Sequence, residues 1–355
     1  MFETIAEYGH EKIVYCYDGD VGLKAIIAIH STVLGPAVGG CRMRKYDRDE
    51  DALFDVLRLS KNMSLKNAAA NLGVGGGKSV ILADPQTEKT PELLKAFALA
   101  VDSLGGIYYT AEDVGMTVAD LNYICKFTKY AMGGDQTPGA HGDPSMPTAY
   151  GTYLGIKTGA EIKLGLKELA GVKIAVQGVG HVGTCLVELL SKDGAEITVA
   201  DINQDSVANV QEKYGVRAVQ PDEIYDVDCD IFSPAAFGGT INENTIPRLK
   251  CKVVAGAANN QLLKDSDADL LQKRDIYFVP DFIVNCGGVT MGTAEIFGLT
   301  YEEAFKKIDI VQDNVYEVDR IAREKGITTQ QAAIEMAWGR IQAAKAKKLE
   351  SGDNR

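Results

Sequence analysis

At 355 residues the chain is longer than one hydrophobic core ordinarily supports, so two domains are expected. Hydrophobic residues at 46% and charged residues at 24% fit a globular enzyme, and a net charge of −12 disfavours nucleic acid and anionic membrane surfaces as partners. The opening stretch MFETIAEYGHEKIVYCYDGD lacks the basic-then-apolar layout of a signal peptide, and no apolar run reaches membrane-spanning length, so a cytoplasmic location is expected. The seven cysteines are scattered without a C-x-x-C pair and the four histidines form no ligand pattern. Neither a disulfide framework nor a zinc knuckle is suggested, and no catalytic metal is expected.

Taken in order, LKAIIAIHST (23–32) reads as a buried strand, and a helix is predicted from about Asp49 to Asn71, with Leu53, Val56, Leu57 and Ser60 on one face. KSVILADP (78–85) reads as a strand, and Pro91 opens a helix that runs to about Ser103. The Gly- and Pro-rich stretch 133–147 predicts a loop or hinge, followed by a helix at TAYGTYLGIKTGAEIKLG. Beyond it KIAVQG, EITVADI, CDIFSPAA, KVVAGAAN and IYFVP alternate with helices in the rhythm of a doubly wound parallel sheet. From about Glu302 the chain reads as helical, with a frayed, charged C-terminus.

NLGVGGGKSV (71–80) invites a phosphate-loop reading. That motif needs a glycine six positions before its lysine, where this chain has Leu72, and it needs a preceding strand where the pattern here is helical. Lys78 therefore needs another role. A dinucleotide signal lies instead at 171–202, where Gly178, Gly180 and Gly183 keep G-x-G-x-x-G spacing between an apolar strand and an amphipathic helix, and Asp201 ends the next strand. In this arrangement the backbone at Val179, His181 and Val182 faces the pyrophosphate. Asp201, with Ile202 beside it, accepts from the ribose hydroxyls and repels a 2′-phosphate, which favours NAD over NADP. The alternatives are a plain strand-to-helix turn for the glycines and a helix cap for Asp201. Ala235, Ala236 and Ala257, in the turns after later strands, are further candidate cofactor contacts.

If the second domain holds a nicotinamide, the first should supply substrate and acid/base groups across a cleft between the domains. Lys66 and Lys78 flank the glycine run, and Asp113 sits in YYTAEDVGM, which reads as an apolar strand ending in carboxylates. Two lysines near a carboxylate suit one cation for a substrate carboxylate and one acid/base group, with the glycines admitting substrate close to the backbone; solvated surface charge is the alternative.

VLGPAVGGCRM (33–43), DVLRLSKNMSLKNAAANLGVGGGKSVILADP (55–85), TAEDVGMT (110–117), PTAYG (147–151), AGAANNQL (255–262) and PDFIVNCGGV (280–289) resemble, in order, the blocks of the leucine, valine and phenylalanine dehydrogenases, relatives of glutamate dehydrogenase. The resemblance covers about residues 1–340. It implies an α/β protein with an N-terminal substrate-binding domain, residues 1–135 with a C-terminal helix of about 325–355 packing back, and a Rossmann-type NAD-binding domain at 146–324. It further implies that Lys66 binds the substrate α-carboxylate with help from Asn260, that Lys78 is the general acid/base handling water, and that Asp113 accepts the proton of the α-amino group. Thr148 is similar to the residue contacting the nicotinamide end, and Asn260 also lies near the cofactor. Val38, Gly39, Gly40, Ala111, Val289 and Gly292 would line the substrate site. Many leucine-type relatives carry a larger aliphatic residue where this chain has Gly292, which leaves room for an aromatic side chain.

The implied reaction is reversible oxidative deamination of a bulky apolar L-amino acid, leucine-like or phenylalanine-like, by an enzyme that assembles as a dimer or octamer. Local alternatives remain at this point: a helix cap for Asp113 or Thr148, a turn residue for Asn260 beside Asn259, and a bend or close packing for Gly292. Two other functions also remain: a 2-hydroxy-acid dehydrogenase, against which the absence of a histidine base motif counts, and a catalytically silent dinucleotide-binding regulator, against which the retained Lys66, Lys78 and Asp113 count.

Overall fold

A computed structural model describes residues 2–136 and 140–351. Part of the predicted hinge (137–139) and the end of the predicted frayed terminus (352–355) lie outside the described residues. The chain divides into two compact units, the described residues of Met1–Asp143, Val289–Ala304 and Ala337–Arg355 forming one and Pro144–Gly288 with Phe305–Met336 the other. Residues 289–304 thus cluster with the first unit, although they fall inside the range 146–324.

The first unit holds a mixed six-stranded sheet of β1 (Lys12–Asp18), β2 (Leu23–Ser31), β3 (Ala37–Val38), β4 (Cys41–Arg44), β5 (Gly75–Leu82) and β6 (Tyr108–Tyr109). Its order is β1-β2-β5-β3-β6, with β4 also paired to β5. β2 reads as a continuous apolar run because both faces of the sheet are covered. Leu23, Ala25, Ile27 and Ile29 point to a core with Leu93, Phe97 and Leu121 of the helices Pro91–Asp102 and Val118–Ile124. The alternate residues Ile26 and Ala28 meet Ala52, Val56 and Leu57 of the helix Asp49–Ala69. Thr90 caps its helix by accepting from the Leu93 N–H, with Pro91 at the first position.

The second unit is built on β7 (Lys173–Gln177), β8 (Glu196–Ala200), β9 (Arg217–Ala218), β10 (Ile231–Pro234), β11 (Val253–Val254) and β12 (Tyr277–Phe278). All pairs are parallel and the spatial order is β12-β11-β10-β7-β8-β9. The chain direction across the sheet reverses between β7 and β10, so the turns after these strands border the crevice where doubly wound sheets take their ligands.

Candidate active site

In the first unit, Lys78 lies inside β5, its side chain only 7% exposed. An ammonium there requires a counter-charge, and Asp113 supplies it: Lys78 Nζ is 2.8 Å from Asp113 Oδ2. The strand reaches Lys78 through glycines because nothing larger fits. A Cβ on Gly75 would lie 1.9 Å from the Ser31 carbonyl oxygen, one on Gly76 2.1 Å from the Ser64 nitrogen, and one on Gly77 2.8 Å from the Tyr108 ring. On the Cβ side of the glycine run protein atoms already fill the space, and the run is strand from Gly75 onward. Asn67 holds the same backbone, its Nδ2 donating to the Gly75 carbonyl at 2.6 Å.

Asp113 has a second cation. Arg42 on β4 places Nε 3.1 Å from the same Oδ2 and donates through Nη1 to Asp55 Oδ2 at 3.0 Å. Asp55 also accepts from the Tyr46 hydroxyl at 2.9 Å and from Arg58 at 3.3 Å. Burial works against the charged form of Asp113, but Lys78 and Arg42 outweigh it and hold the carboxyl at about 2. The same contest lowers Asp55, where burial is overcome by Arg42, Tyr46 and Arg58. Asp113 is not a helix cap. That place belongs to Thr117, which forms a capping box with Asp120 at the start of Val118–Ile124.

The other candidates of this unit sit as follows. Gly39 and Gly40 join β3 to β4 with no room for side chains: a Cβ would lie 1.9 Å from the Gly77 carbonyl oxygen at the first and 2.4 Å from the Glu112 carbonyl oxygen at the second. Gly40 lies against Asp113, whose Cβ would be 3.0 Å from the added carbon. Val38 is fully buried, and half-buried Ala111 accepts from the Cys41 N–H at 2.7 Å. These contacts gather Gly39, Gly40, Ala111, Lys78 and Asp113 where β3 gives way to β4 beside the middle of β5. Lys66 is half-buried on the helix Asp49–Ala69. Val289 is half-buried and Gly292 buried, and the side chain of Met132 packs on Gly292, 3.2 Å from where a Cβ would stand. The space beside Gly292 is therefore filled, as the close-packing alternative requires.

In the second unit the three glycines have separate physical reasons. Gly178 adopts φ +102°, and a Cβ there would meet Ala236 at 2.7 Å; at Gly183 it would lie 2.0 Å from the Gly178 carbonyl oxygen. At Gly180 it would meet nothing within 4 Å. Gly180 is the N-cap of the helix His181–Lys192, its backbone exposed with His181, while Val182 is half-buried and Val179 buried. Open space at an N-terminus with free amide donors fits a pyrophosphate. Asp201 closes the cradle from β8, accepting through Oδ2 from the Val179 N–H at 2.7 Å and through Oδ1 from the Asn203 N–H at 2.8 Å; the cap of the next helix is Asn203. Ile202 is 75% exposed.

Ala235 extends the ladder after β10, its N–H donating to the Gln177 carbonyl at 2.7 Å. The Ala257 carbonyl accepts from Asn285 Nδ2 at 3.2 Å. Thr148 is inside the helix Ser145–Leu164 rather than at its cap, and its hydroxyl accepts from the Gly288 N–H at 3.1 Å. Asn260 sits in a turn at φ +52°, exposed, its N–H donating to Asp281 Oδ2 at 2.6 Å.

Arg42, Asp55, Asp281 and Asn285 carry no motif of their own in the sequence. Two of them still leave a local sign: Arg42 interrupts a short strand between buried Cys41 and Met43, and Asp55 adjoins the apolar positions of its helix.

A family model for the Glu/Leu/Phe/Val dehydrogenase dimerisation domain matches residues 10–130, and one for glutamate/leucine/phenylalanine/valine dehydrogenase matches residues 197–348. Leucine dehydrogenase of Geobacillus stearothermophilus is 46% identical over 96% of this chain and 93% of its own length. Phenylalanine dehydrogenase of Bacillus thermotolerans is 46% identical over 97% and 91%. The crystal structure of L-tryptophan dehydrogenase from Nostoc punctiforme superposes with a TM-score of 0.86 at 40% identity, covering 97% of this chain and 99% of that one. The protein is thus an enzyme of the amino acid dehydrogenase class, of the glutamate dehydrogenase type that uses a nicotinamide dinucleotide. It belongs to the glutamate/leucine/phenylalanine/valine dehydrogenase family.

Proposed function

We propose that this enzyme catalyses the NAD-dependent, reversible oxidative deamination of a bulky apolar L-amino acid to its 2-oxo acid and ammonia. The observation that carries this reading is the buried Lys78–Asp113 pair with its second cation, Arg42. Lys66 binds the substrate α-carboxylate, with Asn260 assisting, and Asp113, kept ionised, accepts the proton released by the α-amino group. Bound at the Gly178–Gly183 turn, the dinucleotide supplies the acceptor for the hydride leaving Cα. Lys78 then takes a proton from water as its oxygen attacks the iminium carbon, and returns a proton to the nitrogen as the carbinolamine collapses. Water and NAD are consumed; ammonia, the 2-oxo acid and NADH are formed.

Asp201 supports NAD over NADP, since a carboxylate just after β8, bonded to the Val179 N–H of the glycine turn, would accept from ribose hydroxyls and repel a 2′-phosphate. Thr148 and the alanine turns at Ala235, Ala236 and Ala257 contact the cofactor in this reading. Leucine and phenylalanine are the leading substrates, as the names of the relatives at 46% identity suggest. A homo-oligomer is part of the same proposal, supported by the dimerisation domain that the match at residues 10–130 describes. Following NADH formation with each of the twenty L-amino acids at alkaline pH tests the proposal. Turnover confined to bulky apolar amino acids is expected, and no turnover of any of the twenty, or turnover only of small or charged ones, would overturn it.

A further inference from the structure

We propose that Arg42 is a positioning residue for this chemistry: a permanent cation that keeps the Asp113 carboxylate ionised and in place while Lys78 gives up and regains its proton. The inference rests on the proposed deamination and adds to it a residue that touches no reacting atom. Lys78 Nζ and Arg42 Nε meet the same Asp113 oxygen, at 2.8 and 3.1 Å. A buried carboxylate with a lysine as its sole partner loses its counter-charge when that lysine becomes neutral, and the proton simply moves to the carboxylate. A guanidinium does not deprotonate in the working pH range, so Arg42 leaves Asp113 paired in both states of Lys78.

Arg42 is itself fixed. Its Nη1 contacts Asp55, which Tyr46 and Arg58 also hold, so one planar group spans two carboxylates from a short strand. The other groups around Asp113 do not replace it. The Cys41 thiol is pushed by burial up to about 12 and the Tyr108 hydroxyl is raised by burial as well, so both stay neutral. Glu112, raised by burial and by Asp120 and Asp113, adds only negative charge, and Asp120 is engaged by Lys89.

The test is a carbon-13 titration of aspartate carboxyls, with Asp113 assigned through Asp113→Asn. In Lys78→Met the Asp113 carboxyl should still titrate below the ordinary value near 3.9. In Lys78→Met with Arg42→Gln it should rise by about two units or more, since only the Val114 backbone hydrogen bond then opposes burial, and Arg42→Lys should restore most of the depression. In the presence of Lys78, Arg42→Gln should move the acid limb of the pH profile of kcat/KM for L-leucine up by about one unit. The KM for NAD should stay unchanged. A merely structural role would lower the rate equally at every pH. An Asp113 titration that ignores Arg42→Gln, or an acid limb that stays in place, overturns the proposal. The titration needs no turnover, so a wild-type enzyme inactive on amino acids would refute the deamination reading while Arg42 is still decided.

Discussion

Lys78 and Asp113 form an ion pair 2.8 Å long inside the first unit, the lysine on the central strand β5 and the aspartate in the loop after β6. Lys78→Ala should abolish turnover and leave NAD binding, followed by quenching of protein fluorescence, within about twofold of the wild type. Wild-type-like turnover in a folded variant would remove the acid/base role. Lys66→Ala should instead raise the KM of the amino acid most, with a smaller loss of rate through misplacement of Cα. Weakened NAD binding alone would assign Lys66 to the other site.

Acid stability should depend on two histidines remote from this chemistry in the sequence. His10 Nε2 contacts Ser60 Oγ at 2.6 Å and His30 Nδ1 contacts Ser64 Oγ at 2.7 Å, with the rings 4.9 Å apart. Burial, with Lys61 and, for His10, His30 adding to it, lowers both from 6.5 to about 4. The unfolded chain therefore binds more protons between these values. Stability is full above about 6.5, falls as the pH drops, and the loss is complete below about 4. Urea unfolding at pH 7 and pH 5 should show a loss on the order of 2–3 kcal/mol, roughly halved in His10→Gln. Equal pH slopes in the two proteins would contradict the assignment.

In the proposed reading Asp201 sets cofactor choice, and its replacement should also cost the turn its acceptor for the Val179 N–H. Asp201→Ser, with an arginine introduced at Ile202, should shift the ratio of kcat/KM from NAD toward NADP by about tenfold or more. Absolute activity with either cofactor should fall below that of the wild type with NAD. A wild-type enzyme that already uses both cofactors equally would contradict this role.

Met132 already fills the space beside Gly292. Gly292→Val must push Met132 aside and should destabilise the protein by about 1–3 kcal/mol, with Met132→Ala in the same chain recovering much of that loss. If this contact borders the substrate pocket, the phenylalanine-to-leucine ratio of kcat/KM should fall several-fold, on the order of tenfold for about 1.4 kcal/mol. An unchanged ratio in a folded Gly292→Val variant would take Gly292 out of the pocket.

The doubly wound unit was legible because its signals are local. Apolar strands such as KIAVQG and EITVADI alternate with helices, and each glycine of the 178–183 turn meets a neighbour or open space as its spacing predicts. The first unit was only half legible. β2, the helix Asp49–Ala69 and the apolar strand at Tyr108–Tyr109 declare themselves by their pattern, whereas β3 is two residues long and depends on partners distant in sequence. The same limit applies to Arg42 and Asp55: each stands out locally as a charge among buried positions, but the partner 71 residues from Arg42 is not marked in the sequence. In the triple glycine, a pattern that invites a ligand-loop reading packs a strand against Ser31, Ser64 and Tyr108, as the wrong spacing for a phosphate loop allows.

The central claim is tested most directly by measuring all three products of one reaction mixture, with L-leucine and NAD at alkaline pH, in the wild type and in Lys78→Ala. The account predicts NADH, ammonia and the 2-oxo acid in equal amounts from the wild type and none from the variant. NADH formed without ammonia, or full product formation by a folded Lys78→Ala, would contradict it.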